Sequence, residues 1–191
     1  MAVIGILALQ GAFIEHEKMI RSLGADTVEI RNKGDLTHLD GLILPGGEST
    51  TQRKLLKEEG LFDPLKKAIE GGLPVLATCA GMILLARHLD NDDNPCFGTL
   101  PVTVRRNAYG RQLGSFITTA DIKGIGLFRM NFIRAPYITE ADPEVEILAA
   151  VDSHIVAVRY KNQTALAFHP ELGKDTRIHE AFLQQAESYG Q

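Results

Sequence analysis

The chain has 191 residues, 45% hydrophobic and 23% charged, with a formal net charge of −4 at pH 7. A soluble chain of this length buries roughly 70% of its unfolded surface without metal or disulfide support, so a single domain over 1–191 is expected. The acidic balance, with no basic block beyond Arg105-Arg106, disfavours nucleic acid or an anionic membrane as principal partner.

Residues 3–9 are nearly continuous hydrophobe, the pattern of a parallel strand covered on both faces. They lack the basic front and the length of a signal peptide, and no segment approaches a membrane span, so a cytoplasmic location is expected. After Gln10-Gly11, Phe13, His16, Ile20 and Leu23 recur at helical spacing until Gly24 stops the helix. Residues 27–31 and 41–44 read as strands, the latter running into Pro45-Gly46-Gly47-Glu48-Ser49-Thr50. Helices are predicted from about Thr51 and around residues 62–70. Leu73-Pro74 enters a buried strand ending near Thr78, and 82–89 reads as a helix with Met82, Leu85, Ala86 and Leu89 on one side. Strands separated by helices argue for right-handed βαβ units and a mostly parallel sheet.

The pattern changes after the surface loop 90–95. Short strand-like runs at 102–104, 115–120, 131–135, 145–151, 155–160 and 164–168 suggest hairpins or antiparallel strands added to the sheet edge. Asp175 is a plausible cap for a last helix that buries Ile178, Phe182, Ala186 and Tyr189.

Cys79 stands at the predicted strand-to-helix junction. There it would project above the sheet at the first turn of a helix, whose field favours the thiolate. That is the physics of a nucleophile elbow, with sulfur in place of a hydroxyl. The competing reading is a buried structural cysteine. Neither Cys79 nor Cys96 belongs to a CxxC, so neither a disulfide framework nor a metal site is expected. His169-Pro170-Glu171 follows an apolar strand, and in an extended segment residues two apart share a side. His169 and Glu171 could thus serve as base and orienting acceptor for a thiol, or His169 could be a strand-end surface histidine.

Gly46 and Gly47 can turn backbone amides toward one point ahead of a helix N-terminus. With the amide of Ala80 this suits an oxyanion hole; the alternative is an ordinary turn capped by Ser49 or Thr50. The GxxxxGK[ST] phosphate-loop pattern is absent. His16, flanked by Glu15 and Glu17, does not form HExxH and is expected at the surface or facing a partner. His38, His88, His154 and His179 are expected in local or solvated roles. Arg105, Arg106, Arg111 and Arg134 are candidate cations for the α-carboxylate of a zwitterionic substrate, with 109–111 as a substrate-side turn.

Several stretches together carry a family resemblance: Leu7-Ala8-Leu9-Gln10-Gly11-Ala12, Pro45-Gly46-Gly47-Glu48-Ser49-Thr50, Thr78-Cys79-Ala80-Gly81, Arg106-Asn107 through Gly110-Arg111-Gln112, Phe132-Ile133-Arg134-Ala135-Pro136 and His169-Pro170-Glu171-Leu172. The chain resembles the class I (triad) glutamine amidotransferases, and within them the glutaminase subunits of pyridoxal 5'-phosphate synthases. The resemblance implies a flavodoxin-like, three-layer α/β sandwich with a central mostly parallel sheet and added antiparallel strands. It implies Cys79 as nucleophile, His169 as base and Glu171 as its orienting partner, with an oxyanion hole at Gly47 and Ala80. Gly47, Glu48, Ser49, Arg106, Ile133 and Arg134 match positions that hold glutamine, and Gln10 matches one near the oxyanion turn, facing the synthase. The implied reaction passes through a γ-glutamyl thioester and needs no cofactor and no metal. The implied partners are L-glutamine and a (β/α)8-barrel synthase in a large hetero-oligomer, with the oxyanion turn completed on synthase binding. Ala77 departs from the glycine of many relatives by one methyl, for which a minor adjustment is expected.

Overall fold

The computed structural model describes residues 1–90, 92–109 and 114–190. The chain runs β1 (Val3–Leu7), α1 (Phe13–Ser22), β2 (Asp26–Ile30), β3 (Gly41–Leu44), α2 (Ser49–Glu58), α3 (Phe62–Glu70), β4 (Val75–Thr78) and α4 (Ala80–Leu85). It continues through β5 (Ala86–Leu89), β6 (Leu100–Arg105), β7 (Ser115–Ile122), β8 (Gly126–Ile133), β9 (Tyr137–Ala141), β10 (Glu146–Val151), β11 (His154–Tyr160), β12 (Gln163–Leu166) and α5 (Arg177–Tyr189). The main sheet is 10-stranded, ordered β2-β1-β3-β4-β12-β11-β9-β6-β5, with β10 pairing β11. From β2 to β12 every pairing is parallel, whereas β12–β11, β11–β9 and β9–β6 are antiparallel. This is the expected three-layer α/β sandwich with a mixed sheet.

The parallel half explains its own sequence. All of β3 and β4 is buried, because helices cover both faces, and each reads as an unbroken apolar run. On one face α1 and α5 approach closely enough for His16 to bond His179, and Phe182 and Ala186 of α5 press on Gly41 of β3. Added Cβ atoms at Gly81 would collide with the Leu44 carbonyl, so glycine sets how closely α4 approaches β3. The extra methyl of Ala77 lies fully buried within β4, opposite Leu44 and Ala165.

Helix α4 starts at Ala80 and ends at Leu85, shorter than the sequence pattern predicts, and residues 86–89 form β5 beside β6. The reason is environmental. Every residue of α4 is buried, so its apolar periodicity carries no information about where the helix stops. Of the run 131–135, residues 131–133 prove to be the end of β8, which forms a separate two-stranded hairpin with β7, and Arg134 and Ala135 lie beyond it. Arg177 holds that hairpin to α5 by donating to the carbonyls of Ile125 (2.8 Å) and Leu127 (2.7 Å). Of the substrate-side turn expected at 109–111, Gly110 and Arg111 lie outside the described residues, as does Gln112. Among the described residues no helix is long and apolar enough to cross a membrane.

Candidate active site

Neighbouring parallel strands deliver the site in sheet order. Gln10 follows β1, Pro45 to Ser49 follow β3, Cys79 follows β4 and His169 follows β12. Because β1, β3, β4 and β12 run parallel side by side, all their carboxyl ends open on one edge, where ligands of open α/β sheets bind. Gln10, Gly47, Glu48, Ser49, Cys79, Arg106, Ile133, Arg134 and His169 line one cleft of about 320 Å3 there. Ala80 lies buried at the first turn of α4, and Glu171 lies buried behind His169.

Cys79 adopts φ 48 and ψ −103, a conformation that non-glycine residues hold only when their surroundings impose it. Here its N–H donates to the Leu166 carbonyl at 2.8 Å, tying the elbow to β12, while its carbonyl accepts from Met82 at 3.1 Å in the first turn of α4. The sulfur is thereby turned into the cleft, 3.9 Å from the Ile133 carbonyl.

His169 Nδ1 lies 2.7 Å from Glu171 Oε1. The segment is not extended, as its sequence suggests; Pro170–Leu172 is a 3-10 turn with His169 at its N-cap position. The turn brings the carboxylate back under the ring that precedes it. The His169 N–H donates to the Asn131 carbonyl of the hairpin at 2.9 Å. Its ring packs so tightly on Gly46 that a Cβ there would strike the imidazole. Burial pulls the His169 pKa down, but hydrogen bonding with Cys79 and Glu171, and their charge, outweighs it and pushes the pKa up to about 10. Burial likewise works against ionised Glu171, yet His16 and His169 together hold its pKa below the usual carboxylate range.

The glycine turn is braced from outside. Gln10 Oε1 accepts from the Glu48 N–H at 2.7 Å, the Ala12 N–H donates to the Gly46 carbonyl at 3.0 Å, and Thr78 Oγ1 accepts from the Gly46 N–H at 3.1 Å. Glu48, rather than Ser49 or Thr50, caps α2, accepting from Thr51 N–H at 3.2 Å. Arg106 donates to Thr50 Oγ1 at 3.1 Å and pairs with Asp92 at 3.1 Å and Glu48 at 3.4 Å. Arg134 sits exposed on the rim with φ 42. Arg105 instead pairs with Asp90 at 2.7 Å, away from the cleft lining.

A model of the SNO glutamine amidotransferase family matches residues 6–188. The chain belongs to that family. It is 60% identical over 181 residues to the pyridoxal 5'-phosphate synthase subunit PdxT of Desulfitobacterium hafniense, an alignment covering 94% of this chain and 91% of that protein. It is 56% identical over 182 residues to the subunit of the same name from Methanocorpusculum labreanum, covering 95% and 96%. A crystal structure of a glutamine amidotransferase superposes with a TM-score of 0.92 at 42% identity, covering 96% of this chain and 98% of that one. A putative GMP synthase subunit from Thermoplasma acidophilum, 20% identical with a TM-score of 0.72 over 99% and 96% of the two chains, shares the fold.

Two histidines expected at the surface or in solvent stand behind this cleft instead. His16 and His179 are both fully buried, not surface or solvated. His16 Nδ1 is 2.9 Å from His179 Nε2, and His16 Nε2 is 3.2 Å from Thr78 Oγ1 and 3.4 Å from Glu171 Oε2. Burial lowers the pKa of His16, and burial with the neighbouring His16 lowers that of His179 to about 3, which favours the neutral form of both rings. Spacing carried the signal that the surface assignment overrode: His16 lies in register with Phe13 and Ile20, and His179 with Phe182 and Ala186, on the inward faces of their helices.

Proposed function

We propose that this chain, acting as one amidotransferase domain in the cytoplasm, hydrolyses L-glutamine to L-glutamate and ammonia. The ammonia passes to a (β/α)8-barrel pyridoxal 5'-phosphate synthase in a large hetero-oligomer. The observation that carries this reading is a cysteine on a strained elbow facing a cleft shared with a histidine whose other nitrogen is 2.7 Å from a buried carboxylate. Identity of 60% to a pyridoxal 5'-phosphate synthase subunit supports the choice of partner.

In this reading Cys79 holds its proton on His169 Nε2, and the thiolate attacks the side-chain carboxamide carbon of glutamine. A C–S bond forms and the carbonyl electron pair moves to oxygen, stabilised by the amides of Gly47 and Ala80. As the intermediate collapses, His169 gives its proton to the departing nitrogen, releasing ammonia and leaving a γ-glutamyl thioester. Neutral His169 then takes a proton from water, whose oxygen adds to the thioester carbonyl; the C–S bond breaks and glutamate leaves. A His169 pKa of about 10 supports an imidazolium ready to protonate the leaving nitrogen at neutral pH. Arg106 and Arg134 hold the substrate α-carboxylate, Gly47, Glu48, Ser49 and Ile133 complete its seat, and Gln10 braces the oxyanion turn on the side that meets the synthase. All of these steps use side chains and backbone amides alone.

The deciding experiment is ammonia release from L-glutamine by the purified chain, with and without purified synthase. Release that depends on synthase and vanishes in Cys79→Ala is expected. An unchanged rate in that variant would remove Cys79 as nucleophile, and unaided cleavage of peptide amides would point to a peptidase instead.

A further inference from the structure

His16, Thr78, Glu171 and His179 form a buried polar cluster directly behind the triad. Glu171 has two oxygens to satisfy. Oε1 lies 2.7 Å from His169, while Oε2 is buried and, among the described residues, its nearest side-chain donor is His16 Nε2 at 3.4 Å. A buried carboxylate oxygen facing nothing is costly, and one facing a nitrogen lone pair is worse. The proton positions follow from this. If His16 carried its proton on Nδ1, it would donate to His179 Nε2 and turn its Nε2 lone pair toward Glu171. It would also leave His179 with a buried N–H at Nδ1, an atom with no partner among the described residues. The other tautomer has no such conflict. His179 Nε2–H donates to His16 Nδ1, and His16 Nε2–H is shared between Thr78 Oγ1 and Glu171 Oε2, leaving only a bare lone pair on His179.

We infer that His16 is a positioning residue for the triad: its Nε2–H anchors the outer oxygen of Glu171, aims the inner oxygen at His169, and is itself held in that tautomer by His179. The same ring reaches the other half of the catalytic apparatus. Thr78 Oγ1, in contact with His16 Nε2, accepts from the Gly46 N–H at the base of the glycine turn. Helix α1 therefore touches the triad through His16, while the segment just ahead of it braces the glycine turn through Gln10 and Ala12. Displacing one ring would slacken the carboxylate and the turn together. This inference rests on the glutaminase reading for its kinetic test and on geometry alone for its spectroscopic one.

Two measurements test it. Long-range 1H–15N NMR of the histidine rings in the full-length chain reads the tautomers directly. His16 protonated at Nε2 with bare Nδ1, and His179 protonated at Nε2, is the expected pattern; His16 protonated at Nδ1 overturns the inference whatever the enzyme's activity. In the complex with synthase, His16→Leu removes the donor and His16→Gln restores one near the position of Nε2. We expect kcat to fall on the order of tenfold or more in His16→Leu, with KM for glutamine changed less than about twofold and most of kcat recovered in His16→Gln. A kcat within about twofold of wild type in His16→Leu, or a His16→Gln variant as slow as the leucine one, overturns it. Should His16→Leu fail to fold, His16→Gln and the tautomer spectrum decide alone. A wild-type complex that releases no ammonia would refute the glutaminase reading instead, leaving the tautomer result standing.

Discussion

Replacing Glu171 with glutamine keeps the shape of the side chain and the acceptor at Oε1 but removes the charge that faces His169. The shift of the His169 pKa from 6.5 to about 10 corresponds to about 5 kcal/mol of preference for the imidazolium in the folded site. Cys79 and Glu171 share that preference against the opposing effect of burial. Losing the carboxylate's share of it should lower kcat on the order of tenfold or more if the transition state carries the same imidazolium. Stability should move with it. Because the folded pKa is raised, His169 stabilises the fold fully below about pH 6.5 and loses that contribution as pH rises through about 10. Glu171, whose pKa is lowered, contributes above its unfolded value of 4.5 and loses that contribution as pH falls through the folded one. The difference between wild type and Glu171→Gln should therefore be widest between about pH 4.5 and 6.5 and shrink toward pH 10. Ammonia release in the presence of synthase gives kcat; denaturant unfolding at several pH values gives stability; the Cε1 proton of His169 reports its own midpoint. A kcat reduced less than threefold, or a His169 midpoint left near 10, would refute the assignment of Glu171 as the group that sustains the imidazolium.

The other predictions concern the walls of the cleft and the histidines behind it. Gly46→Ala drives a Cβ into the His169 ring, so turnover should fall on the order of tenfold or more, with slower labelling of Cys79 by a glutamine-like electrophile; full activity would show that the ring can yield. Arg106→Ala and Arg134→Ala should each raise KM for glutamine, on the order of tenfold, while the reaction of Cys79 with a small thiol reagent stays unchanged; equal losses in both assays would shift the damage to the nucleophile. His179→Leu should flatten the acid limb of the stability profile. A histidine whose folded pKa is depressed from 6.5 to about 3 loses stability as pH falls between those values, by up to about 5 kcal/mol, and an unchanged acid slope in the variant would refute this.

How much of this was legible beforehand varies along the chain, for physical reasons. Strands β3 and β4 stood out because parallel strands covered on both faces are simply apolar, and the turns between strand and helix carry glycine and proline. The end of α4 did not stand out, since a helix buried all round has the same apolar composition as the strand that follows it. The start of β8 was missed because exposed Leu127 stands beside buried Phe128 and Met130, so residue type does not follow burial there, and β9, held between β11 and β6, was missed as well. Their pairing is decided by partners distant in sequence, such as Val104 opposite Ile138.

The site shows the same division in sharper form. Cys79, His169 and the glycine turn are local signals, each a residue type at the end of an apolar strand, and parallel pairing of β3, β4 and β12 then gathers them on one edge. His16 shows what residue type alone conceals. It sits in phase with Phe13 and Ile20, yet its acidic neighbours Glu15 and Glu17 suggested solvent. On a helix those neighbours point about 100° to either side, so they say nothing about the face His16 occupies. Period outranks adjacency there, and the same holds for His179 between Asp175 and Phe182. A histidine in phase with an apolar stripe must either be neutral and bonded or be expelled. Two such histidines on helices that pack against one sheet face can satisfy each other, which is the arrangement found at 2.9 Å. The outward-facing nitrogen of that pair then has to meet an acceptor. In this fold it meets Thr78 and the outer oxygen of Glu171, so the burial of two polar side chains is tied to the alignment of the carboxylate proposed to orient His169.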